Sequence, residues 1–244
     1  MIIMDMKYAE DKIVSWLKEQ VRISGAKGLV VGMSGGIDSA VTAVLSKKAC
    51  PNNMLGVIMP CYSNPQDMED AKAVAEKFGI NTETVNLEPV LNSIAKELKD
   101  DPKNKKLEVA NMKPRLRMVT LYYYANKHNY LVAGTDNKTE EMTGYFTKYG
   151  DGGVDILPIV DLLKTEIREM SRHLGIPEHV ITKAPSAGLW DGQTDEGEMG
   201  ITYDELDRII SNKLDGISID KIKKYNDMFK KTEHKRRMPP GCEL

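Results

Sequence analysis

GLVVGMSGGIDSAVTAVLSKK, residues 28–48, is the stretch whose reading decides the fold. GLVVGM (28–33) is a short continuous apolar run with β-branched residues, and AVTAVLSKK (40–48) reads as a helix. Between them MSGGIDSA (33–40) makes a tight strand-to-helix connection, where backbone N–H groups and a helix N-terminus face an anion. Gly35 and Gly36 let the backbone approach phosphate closely, and Ser34 and Ser39 can donate hydroxyl hydrogen bonds to its oxygens. Asp38 cannot donate and repels phosphate unless a divalent cation lies between, so an Asp in this loop implies magnesium. The bland alternative is a glycine turn with Asp38 as helix cap. The loop matches neither G-x-x-x-x-G-K-[ST] nor G-x-G-x-x-G, which removes the main support for kinase-like and dinucleotide-reductase readings.

Outward from this loop the alternation of strand and helix repeats. Residues 5–24 place Val14, Leu17 and Val21 at helical spacing, with Gly25 as a stop. MLGVIMP (54–60) precedes the helical PQDMEDAKAVAEKFG (65–79), and TETVNL (82–87) precedes a helix reaching about residue 99. A helix near 113–127 then leads into YLVAG (130–134). Short buried strands alternating with helices predict an α/β fold with a doubly wound, mostly parallel sheet and helices on both faces. Ligands of such sheets bind at the carboxyl ends of the strands, so the loops after Met33, Pro60 and Gly134 should converge on one site. Beyond lie the Gly-rich GYFTKYGDGGVD (144–155), a helix from about Asp161 to Leu174, a polar stretch at 184–200, and helices near 203–212 and 219–230.

The 244 residues suit one large domain or two small ones, and 34 Lys plus Arg against 36 Asp plus Glu leave a net charge of −2. Such a balance provides no global field to hold a nucleic acid or an anionic membrane, so neither is expected as a partner and an anionic ligand must be held locally. Cys50, Cys61 and Cys242 are odd in number and lack C-x-x-C spacing, which suggests neither a disulfide framework nor a zinc site and points to a cytoplasmic location. No run approaches the roughly 20 apolar residues that span a bilayer, and MIIMDMKYAEDKIVSWL (1–17) lacks a secretory core.

A second chemistry-bearing stretch, GTDNKTEEMTGYFTKYGDGGVD (134–155), opens at the same sheet edge as the phosphate loop. Thr135, Asp136, Asn137 and Glu140 follow the strand end, and Glu140 could give magnesium a second carboxylate beside Asp38. Lys148 offers a cationic donor, while Asp151 and Asp155 flank Gly152 and Gly153, which allow the loop to fold tightly over a ligand. Lys164 lies near the start of a helix whose apolar face is Leu163, Ile167, Met170 and Leu174; the helix dipole disfavours a cation there, which suggests an anionic partner nearby. Arg115 follows Pro114 at a helix start and on its own reads as a surface residue, and KKTEHKRR (230–237) as a solvated basic tail. His128, His173 and His179 show no metal-ligand spacing.

SGGIDS (34–39) resembles the signature of the N-type ATP pyrophosphatases, which split ATP between its α- and β-phosphates and activate a substrate as an adenylate. Over nearly its full length the chain resembles the ammonia-dependent NAD synthetases. NMKPRLRM (111–118), GTDNKTEEMTGYFTKYGDGGVD, PIVDLLKTE (158–166), KAPSAGLWDGQTDEGEMGITYDELD (183–207) and EHKRRMPP (233–240) carry the likeness. The resemblance implies a Rossmann-like fold of the adenine nucleotide alpha hydrolase type, one NAD synthetase domain over residues 1–244 without a glutaminase domain, and a homodimer. It implies that Gly32, Met33, Ser34, Gly35, Gly36, Ile37, Asp38, Ser39, Thr135, Lys164 and Ser186 bind ATP, and that Asp38 and Glu140 hold magnesium. The family usually has Thr where this chain has Ser186. Arg115, Lys148, Asp155, His234 and Lys235 match positions that hold deamido-NAD.

The activity so implied is amidation of deamido-NAD by free ammonia through an adenylate, giving NAD, AMP and pyrophosphate. Asp151 is the candidate carboxylate to take a proton from ammonium. Two other readings stand beside it: another adenylating enzyme, such as a tRNA sulfurtransferase, and a nonenzymatic ATP-binding sensor on the same fold. The first lacks paired cysteines here; the second leaves Glu140, Lys148, Asp151 and Asp155 without a shared purpose.

Overall fold

The apolar run at Gly28 becomes an inner strand of a parallel sheet in the computed structural model, which describes residues 4–103, 105–190 and 192–242. Strands β1 (Gly28–Gly32), β2 (Met54–Ile58), β3 (Asn81–Thr84) and β4 (Tyr130–Val132) lie in the order β3-β2-β1-β4, every pairing parallel. Val30 pairs with Leu55 on one side and Val132 on the other. The helices are α1 (Met6–Ser24), α2 (Ile37–Ala49), α3 (Pro65–Phe78), α4 (Glu88–Glu97), α5 (Leu107–Ala110), α6 (Met112–His128) and α7 (Lys138–Thr143). After them come α8 (Lys164–Leu174), α9 (Glu178–Ile181), α10 (Asp195–Met199), α11 (Tyr203–Ile210), α12 (Ile219–Lys231) and a 3-10 turn at Glu233–Lys235.

Successive residues of β1 point into two different apolar layers, which is why the run is continuously hydrophobic rather than alternating. Leu29 and Val31 pack with α2, α3 and α8 through Val41, Val44, Val74, Ile167 and Met170. Val30 joins Val57, Val132, Leu91 of α4 and Tyr124 of α6 on the opposite face. A third cluster, built on Met199, Ile201, Tyr203, Leu206, Ile209 and Tyr225, packs α10 to α12 with Met142 of α7.

The structure corrects several sequence expectations. Helix α2 begins at Ile37, not residue 40, so Asp38 and Ser39 lie in its first turn and Gly36 is the N-cap. Asp38 therefore does not cap the helix. Strand β3 is shorter than TETVNL (82–87), and all four of its residues are exposed, because it occupies the sheet edge; Val85 and Leu87 still donate backbone hydrogen bonds to Ile58 and Pro60. Helix α8 begins at Lys164 rather than near Asp161. Helices α7 and α10 form inside stretches read as loops, and Asp191 of the 184–200 stretch lies outside the described residues. No described helix is long and apolar enough to cross a membrane.

Candidate active site

From β1 the chain winds outward through β2 to β3, whereas β4 lies on the other flank of β1, so the switch of direction falls between β1 and β4. A cavity of about 520 Å³ opens at these strand ends. Gly32, Met33, Ser34, Gly36, Ile37, Asp38 and Ser39 line it, together with Met59, Pro60, Gly134, Thr135 and Asp136, so the loops after the three strands converge there.

The loop between β1 and α2 is braced by its own contacts. Gly35 adopts φ +78°, and a Cβ there would lie 2.1 Å from the Asp67 carbonyl oxygen of α3, so only glycine fits. Gly35 is turned away and does not line the cavity. Ser39 Oγ donates to the Gly36 carbonyl at 2.9 Å and accepts the Ser34 N–H at 3.2 Å. Ser39 is thus buried into the loop, whereas Ser34 is exposed.

Beside the loop, α7 and α8 deliver a compact charged cluster. Lys164 is buried, and its Nζ stands 2.5 Å from Asp38 Oδ2 and 3.0 Å from Glu140 Oε1. Asn137 donates from Nδ2 to Asp38 Oδ1 at 2.8 Å and forms a capping box with Glu140 that starts α7. The ring of Tyr203 lies 4.8 Å from Lys164 Nζ, and its hydroxyl donates to Asp195 Oδ2 at 2.9 Å. Asp195 Oδ1 accepts the Ala187 N–H at 2.9 Å, which ties the segment bearing Ser186 to the cluster.

Burial pushes the Glu140 carboxyl up to about 7, Lys164 pulling it down and the charge of Asp38 adding to the rise. For Lys164 burial acts downward, yet attraction to Asp38 and Glu140 prevails and holds the ammonium well above its usual range. Asp136 is buried, its Oδ2 has no hydrogen-bond partner, and burial followed by the charges of Asp151 and Glu140 raises its carboxyl strongly.

Asp38 and Glu140 are two hard oxygen donors that converge on the Lys164 ammonium, which holds the point between them, and the described residues contain no cluster of three or more metal-ligating side chains. That donor set fits a magnesium ion that takes its remaining ligands from phosphates and water, not a closed protein cage.

Thr135, Lys164, Ser186, Asp151 and Lys235 line the cavity. Asp151 is exposed at the cavity and its Oδ1 accepts the Thr147 N–H at 2.9 Å; lost hydration there shifts the carboxyl upward against that hydrogen bond and the charge of Arg117. Arg115, Lys148, Asp155 and His234 do not line this cavity. Arg115 Nη2 lies 3.5 Å from the Lys148 carbonyl, and Lys148 Nζ donates to the His234 carbonyl at 2.6 Å, so three of these basic residues share one adjoining surface. Asp155 instead accepts from Tyr122 OH at 3.0 Å and from the Val132 N–H at 2.8 Å. Lys235 donates to the carbonyls of Gly144 and Phe146, 2.7 and 2.6 Å away.

Asn137, Asp195 and Tyr203 escaped the sequence reading as site residues. The N-x-x-E spacing of Asn137 and Glu140 is a legible capping signal, but nothing local announces that Tyr203 reaches Glu140, 63 residues earlier.

A family model described as NAD synthase matches residues 9–239. The chain belongs to the NAD synthase family. It is 53% identical over 232 residues to an NH(3)-dependent NAD(+) synthetase of Carboxydothermus hydrogenoformans, covering 94% of each chain. A relative from Alkaliphilus oremlandii with the same name is 50% identical over 242 residues, 96% of each chain. Among solved structures, NMN synthetase from Francisella tularensis superposes with a TM-score of 0.93 at 37% identity, covering 99% of this chain and 100% of that one. NH3-dependent NAD synthetase from Campylobacter jejuni, in complex with the nitrate ion, gives 0.83 at 29% identity with the same coverage. The parallel sheet with helices on both faces is the architecture of NAD synthase structures. A sensor needing only the loop is not favoured in this family.

Proposed function

We propose that the chain is a ligase that makes NAD from deamido-NAD, ammonia and ATP, forming a C–N bond. The observation that carries this reading is the Lys164 ammonium held between Asp38 of the phosphate loop and Glu140, at the switch point of the sheet.

In the first step an oxygen of the nicotinate carboxylate attacks the α-phosphorus of ATP, and the bond to the β-phosphate bridge breaks to release pyrophosphate. Two anions must meet, so charge neutralisation dominates. Gly32, Met33, Ser34, Gly36, Ile37 and Ser39 cradle the phosphates, Gly35 holding the turn against α3, with Thr135 and Ser186 contacting the nucleotide and Lys164 placing positive charge beside it. Asp38 and Glu140 would hold magnesium, which when bound would neutralise phosphate charge. In the second step the nitrogen of ammonia attacks the acyl carbon and AMP leaves with the bonding pair. Asp151 stands at the cavity to take the proton that ammonium or the attacking nitrogen must lose.

Deamido-NAD is assigned to the surface bearing Arg115, Lys148 and His234, with Lys235 and Asp155 beside it. Val119 and Tyr123 of α6 are exposed, as is Tyr149 next to Lys148, which supports a homodimer that covers this side. A single NAD synthetase domain using free ammonia and a cytoplasmic location complete the reading. A second acceptor is favoured by one observation, the likeness to the NMN synthetase: amidation of the mononucleotide needs the same two steps.

The test is to incubate the protein with ATP, magnesium, ammonium and deamido-NAD and to quantify NAD, AMP and pyrophosphate together, with nicotinate mononucleotide as the acceptor in a separate reaction. Equal yields of the three are expected, with kcat/KM favouring the dinucleotide. Formation of ADP, or of AMP without NAD, overturns the reading.

A further inference from the structure

Helix α8 begins with Lys164, yet its N-cap residue is Leu163, whose side chain offers no acceptor to the first turn. Glu166 Oε2 accepts the Leu163 N–H at 2.8 Å, and two open N–H groups of the turn find their acceptors elsewhere in the fold. The Lys164 N–H donates to Thr139 Oγ1 of α7 at 3.2 Å, and the Thr165 N–H donates to Asp207 Oδ2 of α11 at 2.8 Å. Thr139 Oγ1 in turn donates to Asp207 Oδ1. Thr139 is 0% exposed and Asp207 4%, so this junction is sealed from water.

Three helices therefore meet at one carboxylate. Asp207 places a negative charge at the N-terminus of α8, where the helix dipole favours it and where Lys164 alone would be disfavoured. Thr139 immediately precedes Glu140, so the same hydroxyl that receives Lys164 N–H also fixes the register of the residue whose Oε1 meets Lys164 Nζ. A shift of α8 against α7 would move both ends of the Lys164 and Glu140 pair at once. Tyr203, one helical turn before Asp207 on α11, lays its ring against the same ammonium at 4.8 Å.

We infer that Asp207 is a positioning residue: through Thr139 and the first turn of α8 it sets where Lys164 stands between Asp38 and Glu140, and so how strongly the site holds the triphosphate of ATP. Asp207 does not line the cavity and touches no substrate. The inference rests on the proposed contact between Lys164 and nucleotide.

The experiment measures ATP affinity by calorimetry in four full-length proteins: unmodified, Asp207→Asn, Lys164→Gln and the double variant. A residue acting through Lys164 loses its influence once Lys164 is gone. Asp207→Asn is expected to weaken ATP binding about tenfold when Lys164 is present, the scale of one charged hydrogen bond, and less than about twofold in the Lys164→Gln background. Equal weakening in both backgrounds would show a general structural role and overturn the inference, as would unchanged affinity in Asp207→Asn. Thr139→Val, which removes the intervening hydroxyl, carries the same comparison with the same expectation if Asp207→Asn does not fold. ATP affinity left intact by Lys164→Gln itself overturns the nucleotide contact and the inference with it, a pattern distinct from equal losses.

Discussion

Lys164 and Asp38 stand 126 residues apart in the chain, yet Lys164 Nζ meets Asp38 Oδ2 at 2.5 Å. One end of the contact is fixed by the first turn of α2 after the sheet's central strand, the other by the first turn of α8. The ammonium is the countercharge that lets two carboxylates share a water-poor pocket.

Removing that charge should therefore harm stability as well as activity. Lys164→Met leaves Asp38 and Glu140 facing each other without a cation, and breaking a buried pair in this way costs about 3–5 kcal/mol. Urea unfolding without magnesium should show that loss, and kcat/KM should fall by at least about a hundredfold. A variant as stable as the parent would refute the countercharge role.

Glycines with positive φ separate two effects. Gly35→Ala combines a left-handed backbone at φ +78° with a Cβ 2.1 Å from the Asp67 oxygen, while Gly79→Ala, at φ +61°, meets nothing within 4 Å. Gly79→Ala should cost about 1 kcal/mol from backbone strain alone. Gly35→Ala should cost clearly more and weaken ATP binding, because the loop must move away from α3; thermal unfolding and calorimetry on both variants read the difference.

On the acid side, stability should fall through Asp70. Burial would raise this carboxyl, but hydrogen bonds from Lys183 and Gln66 prevail and hold it below its ordinary 3.8. The unfolded chain therefore takes up the proton first; the stabilisation is complete above about pH 4 and disappears as pH falls through the native value. Asp70→Asn should flatten the stability profile below pH 4 relative to the parent, as measured by denaturant unfolding at successive pH values.

Tyr203→Phe keeps the ring beside Lys164 but deletes the hydroxyl that donates to buried Asp195. Leaving a buried acceptor without its donor costs about 1–3 kcal/mol. The loss should appear in urea unfolding, and an unchanged midpoint would show that Asp195 finds another donor.

For Asp151→Asn the two chemical steps should separate. Amidation, followed as NAD formed, should slow more than adenylate formation, followed by ATP–pyrophosphate exchange. Equal slowing of both would remove the proton-accepting role.

The sequence revealed the sheet because β1 is buried on both faces, so its residues had to be apolar without interruption. It marked the loop after β1 by its glycines but read Gly35 as room for phosphate, where the structure uses that glycine for close approach to α3; it paired Asp38 with Glu140 through metal chemistry, where the structure joins them through Lys164. It misjudged β3, since polar NTET at an edge carries no burial pattern, and it missed the imported cap of α8, since Thr139 and Asp207 lie 25 and 43 residues from Lys164 in opposite directions and obey no local spacing rule. Contacts made across the fold leave their mark on the sequence only where they constrain residue type severely, as they do for a glycine.

The segment 141–146, whose Gly144, Tyr145 and Phe146 form part of the cavity wall, is fastened from far downstream: Lys235 donates to the carbonyls of Gly144 and Phe146, and Arg236 donates to that of Glu141. Asp38, Asn137, Glu140 and Lys164 all precede both fastening residues in the chain, so the latches can be removed without removing any member of the charged cluster. A translation product arrested shortly before residue 235 would carry the charged cluster of a ligase beside a wall with these latches open.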